Sequence, residues 1–244
     1  MCAPERAPAP AVRLLRDGDV EVKGRMPWST NGTFLVELCL KSQQSIEGEH
    51  GHAVYKPVRG ERGLWDFPPG LHFRETAAYA LSEALGWRLV PETLIREGPL
   101  GEGSFQRFVA ADFEQHYFTL HESVAHHPAL KAICAFDLLA NNADRKSGHC
   151  LLGEDGHIWA IDHGLCFHAS PKLRTVIWEF GGEAVPDELM SSVARFAVAP
   201  PVASFAGLLD DEELEALIAR ASALVRHPVF PQNRSGYAYP WPVV

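Results

Sequence analysis

Runs of apolar residues predict β-strands in the first half of the chain. The run Phe34–Leu40 is apolar at nearly every position and follows a turn-rich cluster, as expected of a strand. A second run, at 52–57, ends in a proline, and the polar residues 41–50 between the two runs predict a hairpin loop. Two further strands are predicted at 91–95 and 104–109, on either side of a glycine-rich turn.

Helical spacing of apolar residues predicts the main helices. In 74–86 the apolar positions recur at intervals of three and four, and Gly86 is suited to close the helix. The segments 128–139 and 210–226 show the same spacing, and the latter begins with acidic residues and ends in arginine, which suits the helix dipole. The mixed, histidine-rich stretch 110–127 is interpreted as a linker or insert.

A short hairpin interrupts the helical half. The apolar segments 150–152 and 157–161 flank an Asp-Gly pair, which is typical of a tight hairpin turn. Strands dominate before this point and helices after it, so the sequence predicts an α+β fold with two lobes. We expect a lead-in without order at 1–11, a β-rich N-lobe at 12–112 and a mainly helical C-lobe at 113–244.

Composition excludes several classes of protein. The net charge of −9 and the lack of a basic stretch argue against nucleic acid as a partner. No run of about 18 apolar residues occurs, so no membrane span is expected. The five cysteines are odd in number and scattered without a C-x-x-C pair, which is typical of a reduced, cytoplasmic protein and not of a disulfide framework.

Two acidic residues flank the short hairpin and carry the main functional argument. Asp144 lies in the polar loop before the hairpin, and Asp162 follows its second strand. A hairpin brings its two ends together, so both carboxylates are expected at one end of the strand pair. Phosphoryl transfer needs one acid to orient the attacking hydroxyl and another to hold Mg²⁺. Either aspartate taken alone would more simply be a turn residue.

A lysine and a glutamate extend this hypothesis. Lys56 lies near the end of a predicted strand, where its amine needs partners, and Glu75 lies at the start of the next helix. A strand lysine paired with a helix glutamate holds ATP phosphates in kinases; Glu83 is the alternative partner, and a solvated edge-strand lysine is the simpler reading. Small residues at 29–33 would let backbone amides approach phosphates, although an ordinary turn is the simpler reading of this segment taken alone.

These motifs resemble a known group of enzymes. The pattern Asn-x-Asp-Arg, then a hairpin, then Ile-Asp-x-Gly-Leu-x-Phe is similar to the phosphatidylinositol 3-/4-kinase and HipA-like superfamily of atypical kinases; it comprises Asn142, Asp144, Arg145, Ile161, Asp162, Gly164, Leu165 and Phe167. More narrowly, residues from about 28 to 180 resemble an actinobacterial group of kinase-like proteins, the SCO1664 family.

The resemblance implies a two-lobed kinase-like fold that transfers the γ-phosphoryl group of ATP to a hydroxyl acceptor on a protein or small molecule. The implied catalytic residues are Asp144, Lys56, Glu75 and Arg145. The implied nucleotide-binding residues are Asn31, Gly32, Thr33 and Lys56, together with Gln106 and Phe108 on the strand that leads to the adenine site. The implied metal ligands are Asp162, His149 and Asn142, for Mg²⁺ or alternatively Mn²⁺.

The sequence also departs from the superfamily. His149 occupies the place of an asparagine that binds a second metal ion, and imidazole suits Mn²⁺ or Zn²⁺ better than Mg²⁺. The glycine-rich loop is minimal. Two alternatives therefore stay open: a pseudokinase that binds nucleotide without transfer, and a transferase that moves AMP. A zinc site among the histidines and cysteines of 149–168 is a weaker alternative, because their spacing is irregular.

Overall fold

The computed structural model describes residues 10–27, 31–41, 48–233 and 238–243. Most of the expected lead-in, residues 1–9, lies outside the described residues, as do Ser29 and Thr30 of the expected phosphate loop and most of the first hairpin loop. The chain divides into two compact units. The first contains the described residues up to Leu64 together with Glu92–Phe108, and the second contains Trp65–Pro91 and the described residues from Val109 onward.

The first unit is an antiparallel five-stranded sheet with one helix. Its sheet has the order β1-β2-β3-β5-β4. The elements are helix α1 (Pro10–Asp17) and strands β1 (Asp19–Arg25), β2 (Phe34–Leu40), β3 (Glu49–Pro57), β4 (Thr93–Gly98) and β5 (Gly101–Arg107), with a 3₁₀ turn at Val58–Gly60. The helix starts at Pro10, inside the segment that the sequence predicted to lack order, because proline is well suited to the first turn of a helix.

Strand alternation gives this sheet one apolar face. Val36 and Ala53 oppose each other in adjacent strands, and together with Tyr55 and Phe105 they form a core with Leu15 of α1. The Tyr55 and Phe105 rings stack with their centroids 4.3 Å apart. Since successive side chains of a strand point to opposite faces, the other face of β3 carries its alternate residues.

The second unit is mainly helical. Its helices are α2 (Leu71–Leu85), α3 (Tyr117–His121), α4 (His127–Ala140), α5 (Asp187–Val198) and α6 (Asp211–Arg226), and its strands β6 (Cys150–Leu152) and β7 (Ile158–Ala160) form an antiparallel hairpin. Short 3₁₀ turns lie at Val124–His126, Ser147–His149 and Val202–Phe205. In the described part of the chain, no helix combines the length and the apolar character that crossing a membrane requires.

Helix α2 belongs to the second unit, whereas the sequence placed it within the N-lobe at 12–112. The helix packs against α5 and the Val202–Phe205 turn. A buried ion pair joins Arg74 of α2 to Glu213 of α6, and the indole of Trp87 donates to the hydroxyl of Ser192 at 2.7 Å. These long-range partners, invisible in the local sequence pattern, account for the different division.

The stretch 110–127 is not the linker that the sequence predicted. It contains α3 and a 3₁₀ turn, and Tyr117 and Leu120 are fully buried in the main core of the second unit. The Tyr117 hydroxyl donates a hydrogen bond to the Glu179 carboxylate. Its histidines and charged residues masked an apolar spacing of three, which is the spacing of one face of a helix.

The C-terminal residues 238–243 pack on the second unit. The carbonyl of Ala238 accepts hydrogen bonds from the Thr175 amide at 3.0 Å and from the Trp178 indole at 3.3 Å. The carbonyl of Val243 accepts from the Ser147 amide at 2.9 Å. The described part of this tail therefore docks on the second unit, and Tyr237 lies outside the described residues.

Candidate active site

The polar loop after α4 is fixed at its first residue. Asn141 closes the helix in the left-handed conformation, with φ of 52°. Its side-chain amide donates to the carbonyls of His168 and Ser170, each at 2.8 Å, and its side-chain oxygen accepts from the Lys172 amide at 2.8 Å. One asparagine therefore joins this loop to the segment that follows Asp162.

Backbone hydrogen bonds continue this connection. The Ala143 amide donates to the Leu165 carbonyl at 2.8 Å, and the Arg145 amide donates to the Arg174 carbonyl at 3.0 Å. The Arg145 carbonyl accepts in turn from the Val176 amide at 3.1 Å. Arg145 and Thr175 thus form a short parallel bridge, which fixes the loop that carries Asp144.

A buried ion pair lies directly beneath the loop. The Arg145 guanidinium donates to both carboxylate oxygens of Asp137 in α4, at 2.8–3.2 Å, and both side chains are at most 1% exposed. It also donates to the carbonyls of His149 and Ile161, at 3.2 and 2.9 Å, and lies 2.7 Å from Nε2 of His163. Although burial alone would lower the pKa of Arg145, the Asp137 carboxylate outweighs it and the net pKa is raised.

The contacts of the Arg145 side chain are therefore all within the protein, and the catalytic role that the resemblance implies stays a prediction. Its guanidinium joins α4, the hairpin entry and the turn after Asp162 through groups that are all within the protein. A fully buried arginine is stable only when its donors are satisfied in this way. It is a positioning residue for the aspartates on either side.

Asn142 is likewise committed to the loop. It is completely buried, its side-chain amide donates to Asp137 at 3.0 Å, and its side-chain oxygen accepts from the Asp144 amide at 2.9 Å. The expected metal-ligating role requires an oxygen that faces outward. In this structure the side-chain oxygen of Asn142 orients the backbone of Asp144, and its role as a metal ligand stays a prediction.

The two aspartates flank the β6–β7 hairpin, and the charge of Asp162 acts on Asp144. Cys150 pairs with Ala160 at the open end of the β6–β7 hairpin. The residues just before β6 and just after β7 therefore lie side by side. Burial raises the pKa of Asp144 to about 6, and the charge of Asp162 adds to this effect, whereas Lys146, 3.3 Å away, opposes it. Asp162 is 49% exposed and has a left-handed backbone, with φ of 60°.

His149 lies against Asp162. Its Nδ1 accepts a hydrogen bond from the Lys146 amide at 3.3 Å, and its Nε2 lies 3.4 Å from a carboxylate oxygen of Asp162. Since an accepting Nδ1 leaves the proton on Nε2 in the neutral ring, the imidazole donates toward Asp162. In this tautomer His149 orients the carboxylate, and neither ring nitrogen presents a lone pair to a metal ion.

Glu75 lies beneath the turn that follows Asp162. It is 2% exposed, and its carboxylate accepts from the His163 amide at 3.1 Å. Glu75 belongs to the second unit and Lys56 to the first. The expected ion pair between them stays a prediction.

The expected nucleotide residues lie in the first unit. Lys56 is half-buried in β3 and pairs in register with Ser104 of β5. The Gln106 side chain donates to the Thr93 hydroxyl at 2.9 Å, and the Phe108 amide continues the strand pairing by donating to the His52 carbonyl at 3.0 Å.

The expected phosphate loop packs on the turn after β3. The side-chain oxygen of Asn31 accepts from the Arg62 amide at 3.1 Å, and the Gly32 amide donates to the Gly60 carbonyl at 3.0 Å. Thr33 is buried, and its carbonyl accepts from the Met26 amide at 2.9 Å. In this conformation the described amide of Gly32 has a protein partner, so only a change of the loop would release it to a phosphate.

Three supporting residues were missed by the sequence interpretation. Asp137, Asn141 and His163 are all buried and contact the loop or the turn that carry the aspartates. An aspartate at an otherwise apolar helical position was the one signal that pointed to Asp137, because a buried carboxylate needs a cation.

The zinc alternative finds no support in the described residues. They contain no group of three or more His, Cys, Asp or Glu side chains arranged to hold a metal ion. Cys150 and Cys166 are fully buried, and burial raises the pKa of both thiols, which disfavours the thiolate that zinc requires.

Comparison with known proteins places the chain in a family. No protein-family model matches it. Protein Rv2133c of Mycobacterium tuberculosis is 40% identical over 266 aligned positions, which cover 94% of each protein. The chain belongs to the Rv2133c family. The narrower resemblance to the SCO1664 family stays a prediction.

Comparison with solved structures shows the fold of this chain. A crystal structure of a Helicobacter pylori proinflammatory kinase, CtkA, matches with a TM-score of 0.52 and 10% identity, over 87% of this chain and 93% of that one. The HipA–HipB–operator DNA complex of a Shewanella oneidensis MR-1 toxin–antitoxin system matches with a TM-score of 0.41 and 13% identity, over 84% and 65%. The CtkA match confirms the predicted kinase-like α+β fold.

Proposed function

We propose that the protein is a metal-dependent phosphotransferase that moves the γ-phosphoryl group of ATP to a hydroxyl acceptor. The observation that carries the proposal is the position of Asp144 and Asp162 at one end of the β6–β7 hairpin, coupled by charge, on a kinase-like fold. Phosphoryl transfer relies on positioning and on charge stabilisation, and two carboxylates in this arrangement supply both.

Asp144 is the residue we assign to the acceptor hydroxyl. Its pKa of about 6 lies near neutrality, where a general base is most effective. About a quarter of its side chain is exposed, so a hydroxyl group has access to it. The Asn142 and Arg145 contacts fix the backbone on both sides, which holds the carboxylate in one place.

Asp162 is the residue we assign to the metal ion. Its carboxylate is half exposed, and hard oxygen ligands of this kind suit Mg²⁺. The described residues offer no cluster of three protein ligands, which agrees with the habit of Mg²⁺ to use one or two carboxylates beside phosphate oxygens. When bound, the ion would supply positive charge to the β- and γ-phosphates. His149 would hold the Asp162 carboxylate toward it.

Lys56 is the residue we assign to the ATP phosphates. It lies on the face of β3 opposite the apolar core formed by Tyr55 and its neighbours. Val54 points to the same face as Lys56, because the two are alternate residues of β3. Gln106 pairs in register with Val54, so its side chain lies on this face of the adjacent strand. A strand lysine of this kind donates to phosphate oxygens.

A second candidate, a pseudokinase that binds nucleotide without transfer, has one observation in its favour. His149 stands where a metal-ligating asparagine is expected, and both of its ring nitrogens already have partners within the protein. A site with one metal ligand fewer would bind ATP and turn it over slowly. Replacement of His149 by asparagine separates the two candidates, since only a deficient site gains turnover from it.

The test is thermal denaturation with ATP and Mg²⁺ or Mn²⁺, followed by measurement of ADP release. A ligand that binds only the folded protein at a hundredfold excess over its Kd stabilises it by about 2.7 kcal/mol. We expect a metal-dependent rise in Tm for the natural protein and its loss in Asp162→Asn. Asp155→Asn, in the exposed hairpin turn, is the matched control and should behave as the natural protein does.

Each outcome decides between the candidates. ADP release that is lost in Asp162→Asn and in Asp144→Asn supports the phosphotransferase. A metal-dependent Tm rise without ADP release, restored to turnover by His149→Asn, supports the pseudokinase. The absence of any ATP effect with either metal refutes both.

A further inference from the structure

A pocket with several arginines in its lining lies in the first unit. An open pocket of about 360 Å³ lies at the end of the sheet where Arg25 of β1 and Gly32 come close to the turn after β3 and the β4–β5 turn. Its charged lining residues are three arginines, Arg25, Arg59 and Arg62. We call it the arginine pocket. The protein carries a net charge of −9, whereas the charged side chains that line this pocket are all positive.

These arginines are available to a ligand. All three are exposed, and among the described carboxylates none forms an ion pair with them. The stem of Arg59 lies over Gly101, where an added Cβ would approach its Cδ to 3.8 Å. The three arginines therefore line the pocket without a counter-ion among the described carboxylates. Arginine binds phosphate through two parallel hydrogen bonds, so this lining suits phosphate oxygens.

The pocket also has an apolar wall. Phe34, Pro57 and Leu100 line it, and Phe34 and Leu100 pack against the core that contains Tyr55. This wall is larger than inorganic phosphate needs. A volume of about 360 Å³ is at the lower end of the range of small-molecule sites. The combination suits a phosphate ester that carries an apolar or aromatic group.

The arginine pocket shares Gly32 with the expected phosphate loop but lies on the face of β3 opposite Lys56. Pro57 lines it, and Pro57 shares with Tyr55 the core face of β3, because alternate residues of a strand point the same way. Lys56 lies between them and therefore points to the opposite face. A ligand in the arginine pocket would contact the sheet from the side away from Lys56.

Two glycines make the pocket possible. The Gly32 amide donates to the Gly60 carbonyl, and a Cβ on Gly60 would lie 2.8 Å from the Gly32 Cα. No larger residue fits at this crossing without displacing the backbone. The close approach brings Arg59 and Arg62, which flank Gly60, up to the connection that carries Arg25.

We propose that the arginine pocket binds a phosphorylated small molecule, with the phosphate on the arginines and an apolar group against Phe34 and Leu100. The ligand is a phosphate monoester, and it binds to the arginine pocket whether or not ATP occupies the proposed nucleotide site. The proposal depends on the first unit alone and does not require phosphotransfer.

The test is calorimetric titration of the full-length protein, in EDTA and at constant ionic strength, with phenyl phosphate, inorganic phosphate and phenol. We expect phenyl phosphate to bind more tightly than inorganic phosphate, and phenol not to bind. Loss of one charged hydrogen bond weakens binding by about tenfold or more, so Arg59→Gln and Arg62→Gln should each show at least this loss. Arg195→Gln, an exposed arginine of α5, is the matched control.

Lys56→Gln distinguishes the two phosphate sites. Phenyl phosphate binding that persists in Lys56→Gln and falls in the two pocket variants supports the proposal, even if ATP has no effect on the protein. Binding that is lost in Lys56→Gln and kept in the pocket variants would place the probe at the nucleotide site and overturn it. Equal loss in Arg195→Gln, equal affinity for inorganic phosphate, or no binding of any probe would also overturn it.

Discussion

Asp144 should destabilise the metal-free protein at neutral pH, so its replacement by asparagine should raise stability while abolishing activity. The pKa of Asp144 rises from the ordinary 3.8 to about 6 because the carboxylate is buried beside Asp162. Each tenfold change in proton affinity corresponds to about 1.4 kcal/mol, so the charged form costs about 3 kcal/mol in the folded protein. This value already includes the opposing attraction of Lys146.

The pH dependence has a definite sign. A carboxyl group whose pKa is raised in the folded state favours folding below its unfolded pKa, and this contribution is lost as the pH rises through the folded pKa. The gain from Asp144→Asn should therefore be near zero below pH 3.8, grow between there and about pH 6, and level off above it. Asparagine keeps the shape of the side chain and removes only the charge.

Urea denaturation in EDTA, at several pH values across this range, measures the effect. Asp155→Asn, which keeps the turn acceptor for the His157 amide, should show no comparable pH-dependent gain. A variant less stable than the natural protein at pH 8, or a gain of equal size at low pH, would refute the assignment of burial as the cause. ADP release, measured separately with ATP and Mg²⁺ and without EDTA or urea, should be lost in Asp144→Asn.

Two further predictions concern the support of the site. Asp137→Asn leaves the buried Arg145 without its carboxylate, and this should cost about 3–5 kcal/mol in urea denaturation, whereas a loss below 1 kcal/mol would show that the pair is dispensable. In Gly103→Ala the added Cβ would press against the backbone of Lys56 and would lie 2.7 Å from the Cα of Pro57. It should lower the Tm and weaken any ATP-induced rise in Tm, and an unchanged response to ATP would contradict the assigned role of Lys56.

Local patterns predicted the elements that carry the site. The strand Phe34–Leu40 forms as expected, and the expected helix 128–139 is observed as His127–Ala140. The Asp-Gly hairpin also forms, and it brings Asp144 and Asp162 to one end. These features depend on neighbours in sequence, which is why periodicity and turn chemistry suffice to find them.

Long-range pairing could not be predicted in the same way. Nothing local distinguishes a buried Arg145 from an exposed one, because its burial depends on Asp137 in the preceding helix and on the carbonyl of Ile161. Likewise, the side chain of Asn142 has the same ligand chemistry whether it faces a metal ion or the Asp144 amide. The arginine pocket unites residues from three separate connections, so only the fold brings them together.

The left-handed backbone at Asp162 limits what can replace this residue. At φ of 60° most side chains are strained, and asparagine, aspartate and glycine are the residues that accept it most readily. A single change to asparagine would therefore remove the charge without disturbing the turn, while alanine would alter both. One substitution at this position would therefore remove the carboxylate that we assign to the metal ion and leave the backbone of the turn intact.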